Sequence, residues 1–315
     1  MEKIVTYSPA YTLVPTYECF NRCTYCNFRQ APGQHKWMSL DGAKTTLEGL
    51  RSQEVIEILI LSGEVHPQSK RRPAWFQRIY DLCKLALSLG FLPHTNVGPL
   101  SYEEMAKLRE VNVSMGLMVE QVTPDLLNTV HAQAPSKVPQ VRLQQLALAG
   151  KLKIPFTTGL LLGLGETVED WADSLEAIAQ SHQTYGHIQE VILQPHQPGE
   201  SQSDVRPPCH GETLLQAVKL AANILPADIA IQIPPNLIRS DEALIDCIAA
   251  GARDLGGIGP VDEVNPDYAH RSLAHMEGLL EGRSLTRRLP IYEKYDHWLP
   301  AHLLWPVRKW RQAIV

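Results

Sequence analysis

Residues 156–182 read FTTGLLLGLGETVEDWADSLEAIAQSH. The first seven, Phe156–Leu162, form an apolar run of strand length, and a glycine-rich turn then leads into a helical pattern. Thr167 and Asp170 have the spacing of a capping box, which places the start of the helix at Thr167. Its inner face would consist of Val168, Trp171, Leu175 and Ile178. The stretch therefore predicts one strand–loop–helix unit, ending near His182.

Similar units recur along the whole chain. Apolar runs fall near Tyr11–Val14, Ile56–Leu61, Phe91–Thr95, Val113–Val119, Phe156–Leu162, Ile188–Leu193, Ile229–Ile233 and Asp254–Ile258. Two of the helices between them are predicted over Pro73–Leu89, closed by Gly90, and over Asp241–Ala250, closed by Gly251. Strands that are apolar throughout and alternate with helices indicate a parallel sheet buried on both faces.

Eight units in about 280 residues predict an α/β fold, a (β/α)₈ barrel. We expect one domain over residues 1–315, with a C-terminal extension from about residue 283. An open, doubly wound sheet is the alternative. In a barrel the chemistry lies where the strands end, and the predicted strands end in reactive or glycine-rich residues. These are the cysteines after the first strand, Gly63-Glu64, Asn96, Glu120, residues 163–166, Gln194, His196, Asn236 and Gly256-Gly257.

The composition limits the possible partners. The 315 residues carry a net charge of -5, and the only basic run is Lys70-Arg71-Arg72, so no nucleic-acid footprint is present. Neither a signal peptide nor a membrane-spanning stretch is predicted, so we expect a cytoplasmic protein without a membrane partner. Three of the six cysteines crowd into eight residues, and clustered thiols in a reducing compartment indicate metal ligands.

The clustered cysteines are Cys19, Cys23 and Cys26, in the spacing C-x3-C-x2-C directly after the first predicted strand. Thiolates bind both zinc and iron–sulfur clusters. A structural zinc site needs a fourth ligand, for which His35 is a candidate. Three thiolates on a four-iron cluster instead leave one iron open to bind a small molecule.

This spacing, with the aromatic Tyr25 before the third cysteine, resembles the radical S-adenosylmethionine (SAM) superfamily. The resemblance implies a [4Fe–4S] cluster on the three cysteines, whose open iron binds SAM. The cluster then donates an electron that cleaves SAM to methionine and a 5′-deoxyadenosyl radical. A reducing electron donor is implied as well. Tyr25 would contribute to the catalytic centre or simply pack against the cluster.

Further motifs agree with this resemblance in order and place. Gly63 and Glu64 resemble the motif that receives the SAM ammonium group, and a carboxylate suits a cation there. Residues 159–166 resemble the G-x-I-x-G-x-x-E motif beside the adenine, with Gly163, Gly165 and Glu166 as its candidates, although Glu166 would equally serve as a helix cap. Further candidates are Arg142 for the SAM carboxylate and Glu120 and Asn96 for SAM or substrate. Arg142 and Glu120 would equally suit a structural salt bridge.

Longer phrases resemble one family, the FO synthase first subunit (CofG), which comprises the 7,8-didemethyl-8-hydroxy-5-deazariboflavin synthases. The phrases cover residues 93–98, 115–120, 154–167, 187–194, 255–260 and 264–266. The resemblance runs from about Val5 to Trp298. It implies a carbon–nitrogen lyase that closes a 5-amino-5-(4-hydroxybenzyl) ribityl-uracil adduct to the deazaflavin FO, with release of ammonia. It also implies a partner, the adduct-forming radical SAM subunit (CofH).

The substrate pocket would hold a flat polar heterocycle and a phenol. Amides and imidazoles at strand ends are candidates for its polar groups: Asn96, Gln189, Gln194, His196 and Asn236. His94 and His187 are candidates for proton transfer, or are core histidines. The remaining cysteines, Cys83, Cys209 and Cys247, are predicted to be structural.

Two other enzyme functions remain open at this point: a transferase of the adduct-forming type and a menaquinone-pathway relative of the same barrel. A non-catalytic iron–sulfur or zinc-binding module is the alternative of a different class.

Overall fold

A computed structural model describes residues 3–204, 206–280 and 282–314. Eight parallel strands form a closed barrel, because the first strand pairs with both the eighth and the second. This confirms the (β/α)₈ prediction over the open sheet. The strands are β1 (Lys3–Leu13), β2 (Glu57–Leu61), β3 (Leu92–Asn96), β4 (Ser114–Gly116), β5 (Phe156–Leu162), β6 (Ile188–Pro195), β7 (Ala230–Gln232), β8 (Asp254–Ile258) and the additional β9 (Arg283–Arg287).

Helices follow the strands along the chain and surround the barrel. They are α1 (Leu40–Leu50), α2 (Arg72–Ser88), α3 (Tyr102–Arg109), α4 (Pro139–Lys151), α5 (Val168–Tyr185), α6 (Gly211–Ile224), α7 (Asp241–Ala250), α8 (Leu273–Leu279) and α9 (Ala301–Ala313). The predicted capping box is present: the Thr167 hydroxyl accepts from the Asp170 amide, and the Asp170 carboxylate accepts from the Thr167 amide. None of the described helices has the length and apolar character that crossing a membrane requires.

The first strand is longer than its sequence pattern predicts. It begins at Lys3 rather than near Tyr11, and its early residues pair with β9 and β8 while Ala10–Leu13 pair with β2. Ser8 and Pro9 interrupt the apolar pattern there, and only tertiary pairing makes this part a strand. The extra length matters because β1 leads directly into the cysteine loop.

Residues 283–314 close the amino-terminal end of the barrel. After β9, the chain crosses beneath the strands, where Leu289, Ile291 and Tyr295 pack against Ile56 and Leu92. The Pro290 carbonyl accepts from Ser114 Oγ at 2.5 Å and from Gln189 Nε2 at 3.0 Å. The segment is thus tied to the barrel by both apolar packing and hydrogen bonds.

One residue of this segment, Arg288, extends into the barrel and forms buried ion pairs. Its Nε and Nη2 donate to Asp254 Oδ2 and Oδ1 at 2.6 and 2.8 Å, and Nη2 also contacts Glu190. Asp254 additionally accepts from Thr6 Oγ1 and the Gly256 amide. The guanidinium therefore compensates the charge of a carboxylate that is completely buried.

Replacing Arg288 with Met should strongly destabilise the fold. Breaking a buried ion pair by removing one partner costs about 3–5 kcal/mol, because the other charge stays buried without compensation. Equilibrium denaturant unfolding measures the loss. The matched control is Arg308→Met on α9, at an exposed position, where we expect a change within about 0.5 kcal/mol. Equal unfolding midpoints for the two variants would contradict the structural role of Arg288.

Candidate functional site

The three clustered cysteines lie in the loop between β1 and α1, at the carboxyl end of the barrel. All three are free thiols and partly exposed. Glu18, just before them, is almost completely buried and holds the loop together. Its carboxylate accepts from the Gly33 and His35 amides at 2.7 and 3.1 Å and from Trp37 Nε1 at 3.1 Å. A single carboxylate thus gathers the two ends of the cysteine loop.

The loop is also attached to the segment that follows β2. The Gly63 amide donates to the Thr16 carbonyl at 2.8 Å, and the Phe20 amide donates to the Glu64 carbonyl at 3.0 Å. The backbones approach so closely that a Cβ on Gly63 would lie 2.2 Å from the Glu18 carbonyl oxygen. Gly63 therefore has a direct steric role: it allows the cysteine loop to pack onto β2.

The thiols fit a metal cluster better than they fit a role as free thiolates. Burial raises the pKa of Cys19 to about 11 and that of Cys23 to about 12, and it also raises the pKa of Cys26. A coordinated metal deprotonates such thiols outright. Among the residues that the structure describes, no three His, Cys, Asp or Glu side chains converge on a single-ion site. A cluster does not require that convergence, because each thiolate binds a different iron.

Glu64 and Arg142, predicted separately as SAM ligands, lie together beside the cysteine loop. Arg142 Nη2 donates to Glu64 Oε1 at 2.8 Å. Ser136 Oγ and Asn21 Nδ2 donate to Glu64 Oε2, the latter at 2.8 Å. Burial alone would raise the pKa of Glu64, but the Arg142 and Lys137 charges and these hydrogen bonds hold it below its usual value. The carboxylate is therefore kept ionised.

A second ion pair lies next to the first. Glu120 follows β4, adopts a left-handed backbone conformation with φ 68°, and bridges to Leu160 of β5. Its carboxylate pairs with the ammonium group of Lys137. Burial would raise the pKa of Glu120, but the charges of Lys137 and Arg142 lower it. Two carboxylates and two cations thus alternate at this edge of the barrel.

Several members of this cluster escaped the sequence analysis. Ser136 and Lys137 come from a short 3-10 helix, Pro135–Lys137, before α4, which is too short for a periodic pattern and carries no motif. Asn21 stands between two of the cysteines, and its position there is the one signal that could have identified it. His131 was also missed; its Nε2 lies 3.0 Å from the Tyr25 hydroxyl.

Tyr25 is held against a small apolar cluster as well as against His131. Leu126, Val130, Leu161 and Leu164 form that cluster. The two aromatic rings meet edge to face, with centroids 5.6 Å apart. Apolar packing and the His131 contact therefore fix the ring of Tyr25, and its packing against an iron–sulfur cluster stays a prediction.

The glycine motif after β5 forms a tight turn with Gly163 at φ 93° and Gly165 at φ 110°. Glu166 closes it: its carboxylate accepts from the Gly163 and Leu164 amides at 2.6 and 2.7 Å and from Trp171 Nε1 at 2.9 Å. Both oxygens are therefore occupied within its own loop. The structure thus places Glu166 as a residue that shapes the turn.

A cavity of about 210 Å³ occupies the barrel interior below this edge. Asn96, Gln194 and Asn236 line it, as do Gly256 and Gly257 after β8. A Cβ on Gly256, whose φ is 74°, would lie 2.3 Å from Gln232 Nε2. These glycines therefore keep the cavity wall open.

The two histidine candidates lie in different places. His94 lines the cavity, and burial lowers its pKa to about 3. His187 directly precedes β6 and so lies at the amino-terminal end of that strand. Its ring packs between Phe156 and Tyr185. Gln189 and His196 do not line the cavity either. Cys83, Cys209 and Cys247 are buried free thiols, apart from the cysteine loop.

Replacing Gly63 with Ala should weaken the attachment of the cysteine loop. The new methyl group overlaps a backbone oxygen that has no flexible side chain to move, so we expect a destabilisation of about 1–3 kcal/mol and a lower iron content after anaerobic reconstitution. Gly49→Ala is the control, since apart from its own helix no described residue comes within 4 Å of its Cβ position. In α1 that change should stabilise by about 0.5–1 kcal/mol. Unchanged iron content in the Gly63 variant would contradict the steric argument.

Comparison with known proteins agrees with this geometry. Residues 13–178 match the model of the radical SAM superfamily. Among solved structures, the FeFe-hydrogenase maturase HydG from Carboxydothermus hydrogenoformans has a TM-score of 0.76 at 16% identity, covering 98% of this chain and 76% of that chain. Methylornithine synthase (PylB) has a TM-score of 0.63 at 16% identity, covering 90% of this chain and 79% of that one. At these identities the likeness shows the fold alone.

Curated relatives are far more similar. A 7,8-didemethyl-8-hydroxy-5-deazariboflavin synthase from Trichormus variabilis (strain ATCC 29413 / PCC 7937) is 60% identical over 314 residues, which are 99% of this chain and 92% of the relative. Its counterpart from Synechocystis sp. (strain ATCC 27184 / PCC 6803 / Kazusa) is 60% identical over 301 residues, 95% of this chain and 96% of the relative. The chain therefore belongs to the radical SAM superfamily and, within it, to the 7,8-didemethyl-8-hydroxy-5-deazariboflavin synthase family.

Proposed function

We propose that this protein is the radical SAM lyase and cyclase that forms FO, 7,8-didemethyl-8-hydroxy-5-deazariboflavin. Its substrate would be the 5-amino-5-(4-hydroxybenzyl)-6-(D-ribitylimino)-5,6-dihydrouracil adduct, with ammonia, methionine and 5′-deoxyadenosine released. The observation that carries the proposal is the 60% identity to FO synthases over nearly the whole chain. The geometry at the carboxyl end of the barrel supports it.

Cys19, Cys23 and Cys26 would hold a [4Fe–4S] cluster, and the residues around them fit it. When bound, the cluster and SAM would supply the radical chemistry that removes a hydrogen atom from the substrate. The role of the protein's own loop is to orient the thiols. Glu18 fixes its ends, and Asn21 Nδ2 lies 3.6 Å from Cys19 Sγ, where it would donate to the ligand sulfur.

The ion-pair cluster would receive the amino-acid end of SAM. Glu64, which is held ionised, would accept from the ammonium group, and Arg142 would donate to the carboxylate. The two side chains pair with each other in this structure, so a zwitterion would replace one internal ion pair by two complementary contacts. Glu120 and Lys137 form a second pair of the same kind, and they would orient the same ligand or the substrate. Gly163 and Gly165 would let the turn approach the adenine, with Glu166 holding its shape.

The barrel cavity would bind the adduct and exclude water from it. Its walls are partly apolar, with Leu59, Leu61, Met118 and Ile192 among the lining residues. Asn96, Gln194 and Asn236 would hydrogen-bond the polar edges of the heterocycle. The imidazole of His94 is uncharged at neutral pH, because burial lowers its pKa to about 3, so it could accept a second proton only transiently.

The proposal includes two partners. The adduct would come from the partner radical SAM subunit (CofH), and a reducing electron donor would supply the electron for each turnover. A cytoplasmic location is also part of the proposal, because cysteines that bind a cluster must stay reduced.

Anaerobic assay of the reconstituted protein tests the function. The purified adduct, SAM and a reductant should yield fluorescent FO together with 5′-deoxyadenosine. The same protein given tyrosine and the ribityl-diaminouracil should yield no adduct. The opposite pattern would replace the proposal by the adduct-forming transferase, and a lack of SAM cleavage in both mixtures would favour a non-catalytic iron–sulfur module.

Cys23→Ala should abolish both the cluster and SAM cleavage, because one of three ligands to the irons is lost. Iron content and 5′-deoxyadenosine formation measure the two effects. Cys247→Ala is the matched control, a buried thiol on α7 outside the cysteine loop, and should keep both. Full SAM cleavage by the Cys23 variant would remove the basis of the assignment.

A further inference from the structure

The floor of the barrel cavity is polar, and apart from His94 the proposed function gives its polar groups no role. The C-terminal segment provides Arg288 and Pro290 there, and the strands provide Glu57, His94 and Glu190. Glu57 and Glu190 lie near the amino-terminal ends of β2 and β6, His94 lies in the middle of β3, and Arg288 and Pro290 follow β9. Together they line the end of the cavity that faces away from the cysteine loop. The strand residues and Pro290 are buried, Arg288 is nearly so, and each of them lines the cavity.

The charges at the floor do not balance. Arg288 faces three carboxyl groups, those of Asp254, Glu190 and Glu57. Asp254 receives two hydrogen bonds from the guanidinium, and Glu190 contacts it too, with Thr157 Oγ1 donating to Glu190 Oε2 at 2.9 Å. Burial raises the pKa of both Glu57 and Glu190. One guanidinium cannot neutralise three carboxylates, so this end of the cavity favours protonated carboxyl groups.

Glu57 is the member with the least support from the protein. Its side chain is only 7% exposed and lines the cavity. Ser8 lies beside it and lowers its pKa against the larger effect of burial, but among the described residues the Ser8 hydroxyl makes no hydrogen bond of normal geometry. A buried carboxyl group that lacks a well-formed hydrogen bond costs free energy unless a ligand satisfies it, even with a cation such as Arg288 nearby. Glu57 therefore points to a hydrogen-bonding ligand at the floor.

His94 is fixed in one tautomer. Ser114 Oγ lies 2.7 Å from His94 Nδ1 and 2.5 Å from the Pro290 carbonyl, which can only accept. The hydroxyl proton must go to Pro290, so Nδ1 carries a proton and donates to Ser114. Nε2 is then an unprotonated acceptor, on the side of the ring that faces Gly116, and both residues line the cavity.

We propose that this floor is a binding site for a polyhydroxylated chain, and that it holds the ribityl tail of the adduct. The inference rests on the proposed function for the identity of the tail. Glu57 and His94 Nε2 would accept from hydroxyl groups, while the Arg288 side and the carboxyl protons would donate to them. The reacting ring system would then point toward the cysteine loop.

A polyol fits these groups better than the other two parts of the adduct. Hydrogen-bonding groups come from β2, β3, β6 and the C-terminal segment, and so surround the floor from several directions. A flat uracil would form hydrogen bonds with these groups in one plane only, and a phenol would offer a single hydroxyl. Each buried group left unsatisfied would weaken binding. A chain with a hydroxyl on every carbon can turn to meet them all.

The test compares two fluorescent ligands, FO and an analogue with an ethyl group in place of the ribityl chain. Fluorescence anisotropy titrations use the reconstituted protein with SAM. The wild-type protein should bind FO about 10- to 100-fold more tightly, from one or two net hydrogen bonds. Glu57→Leu should reduce that ratio about 3- to 10-fold while affinity for the ethyl analogue stays within about twofold. Glu57→Gln, which keeps a donor and an acceptor, should restore most of the ratio.

A second residue and a second readout keep the test decisive. His94→Phe should lower the same ratio, whereas Glu48→Leu, at an exposed position on α1, should leave it unchanged. The ratio of kcat/KM for the adduct and for its tail-deoxygenated analogue should follow the binding ratio. Equal losses of affinity for both ligands would mean that the floor contacts the ring system, and this would overturn the proposal. An unchanged affinity ratio in Glu57→Leu would overturn it too.

The two proposals fail separately. Conversion of the adduct to FO with a ratio that Glu57→Leu does not change would leave the function standing and remove the polyol site. If the adduct is not converted but the preference for the ribityl ligand still depends on Glu57, the polyol site stands and the proposed function falls.

Discussion

The pairing of β1 on both of its edges is the constraint on which the rest of the molecule depends. Its hydrogen bonds to β8 and β2 close the barrel, and its early residues also pair with β9. The same strand delivers the cysteine loop at its carboxyl end. The pairing of β1 therefore closes the barrel, attaches the C-terminal segment and places the thiols.

Two charged layers, one toward each end of the barrel, follow from this arrangement. At the carboxyl end, Glu64 and Glu120 face Arg142 and Lys137, and the charges balance. At the floor, Arg288 faces more carboxyl groups than it can neutralise. Buried charges persist only when paired or protonated. The balanced layer suits a zwitterion such as the amino-acid end of SAM, and the unbalanced layer suits neutral hydroxyl groups.

The chain path after β9 both covers the amino-terminal end of the barrel and supplies a charge to the cavity floor. A barrel without residues 288–299 would expose Ile56, Leu92 and Val113 at its amino-terminal end. The segment covers them with apolar side chains and turns Arg288 inward. One short stretch thus completes a hydrophobic core and supplies the cation of the cavity floor.

The sequence by itself determined the features that depend on near neighbours in the chain. The strand–helix repeat, the limits of β5, β8 and α7, the cap at Thr167 and the cysteine spacing all follow from local periodicity and side-chain chemistry. Resemblance of longer phrases to one family added the activity. Glu64 and Arg142 could be named one by one, but not as a pair.

Only the tertiary structure decided which distant groups meet. Lys137 and Ser136 come from a single 3-10 turn, and Arg288 directly follows a polar strand, so no pattern marks them as site residues. Their roles arise because folding removes water from these charges, and a buried charge is stable only beside an oppositely charged partner. The fold brings that partner from a distant part of the chain. The Glu166 carboxylate likewise needs partners, and it finds them nearby: two backbone amides of its own loop and the Trp171 indole donate to it.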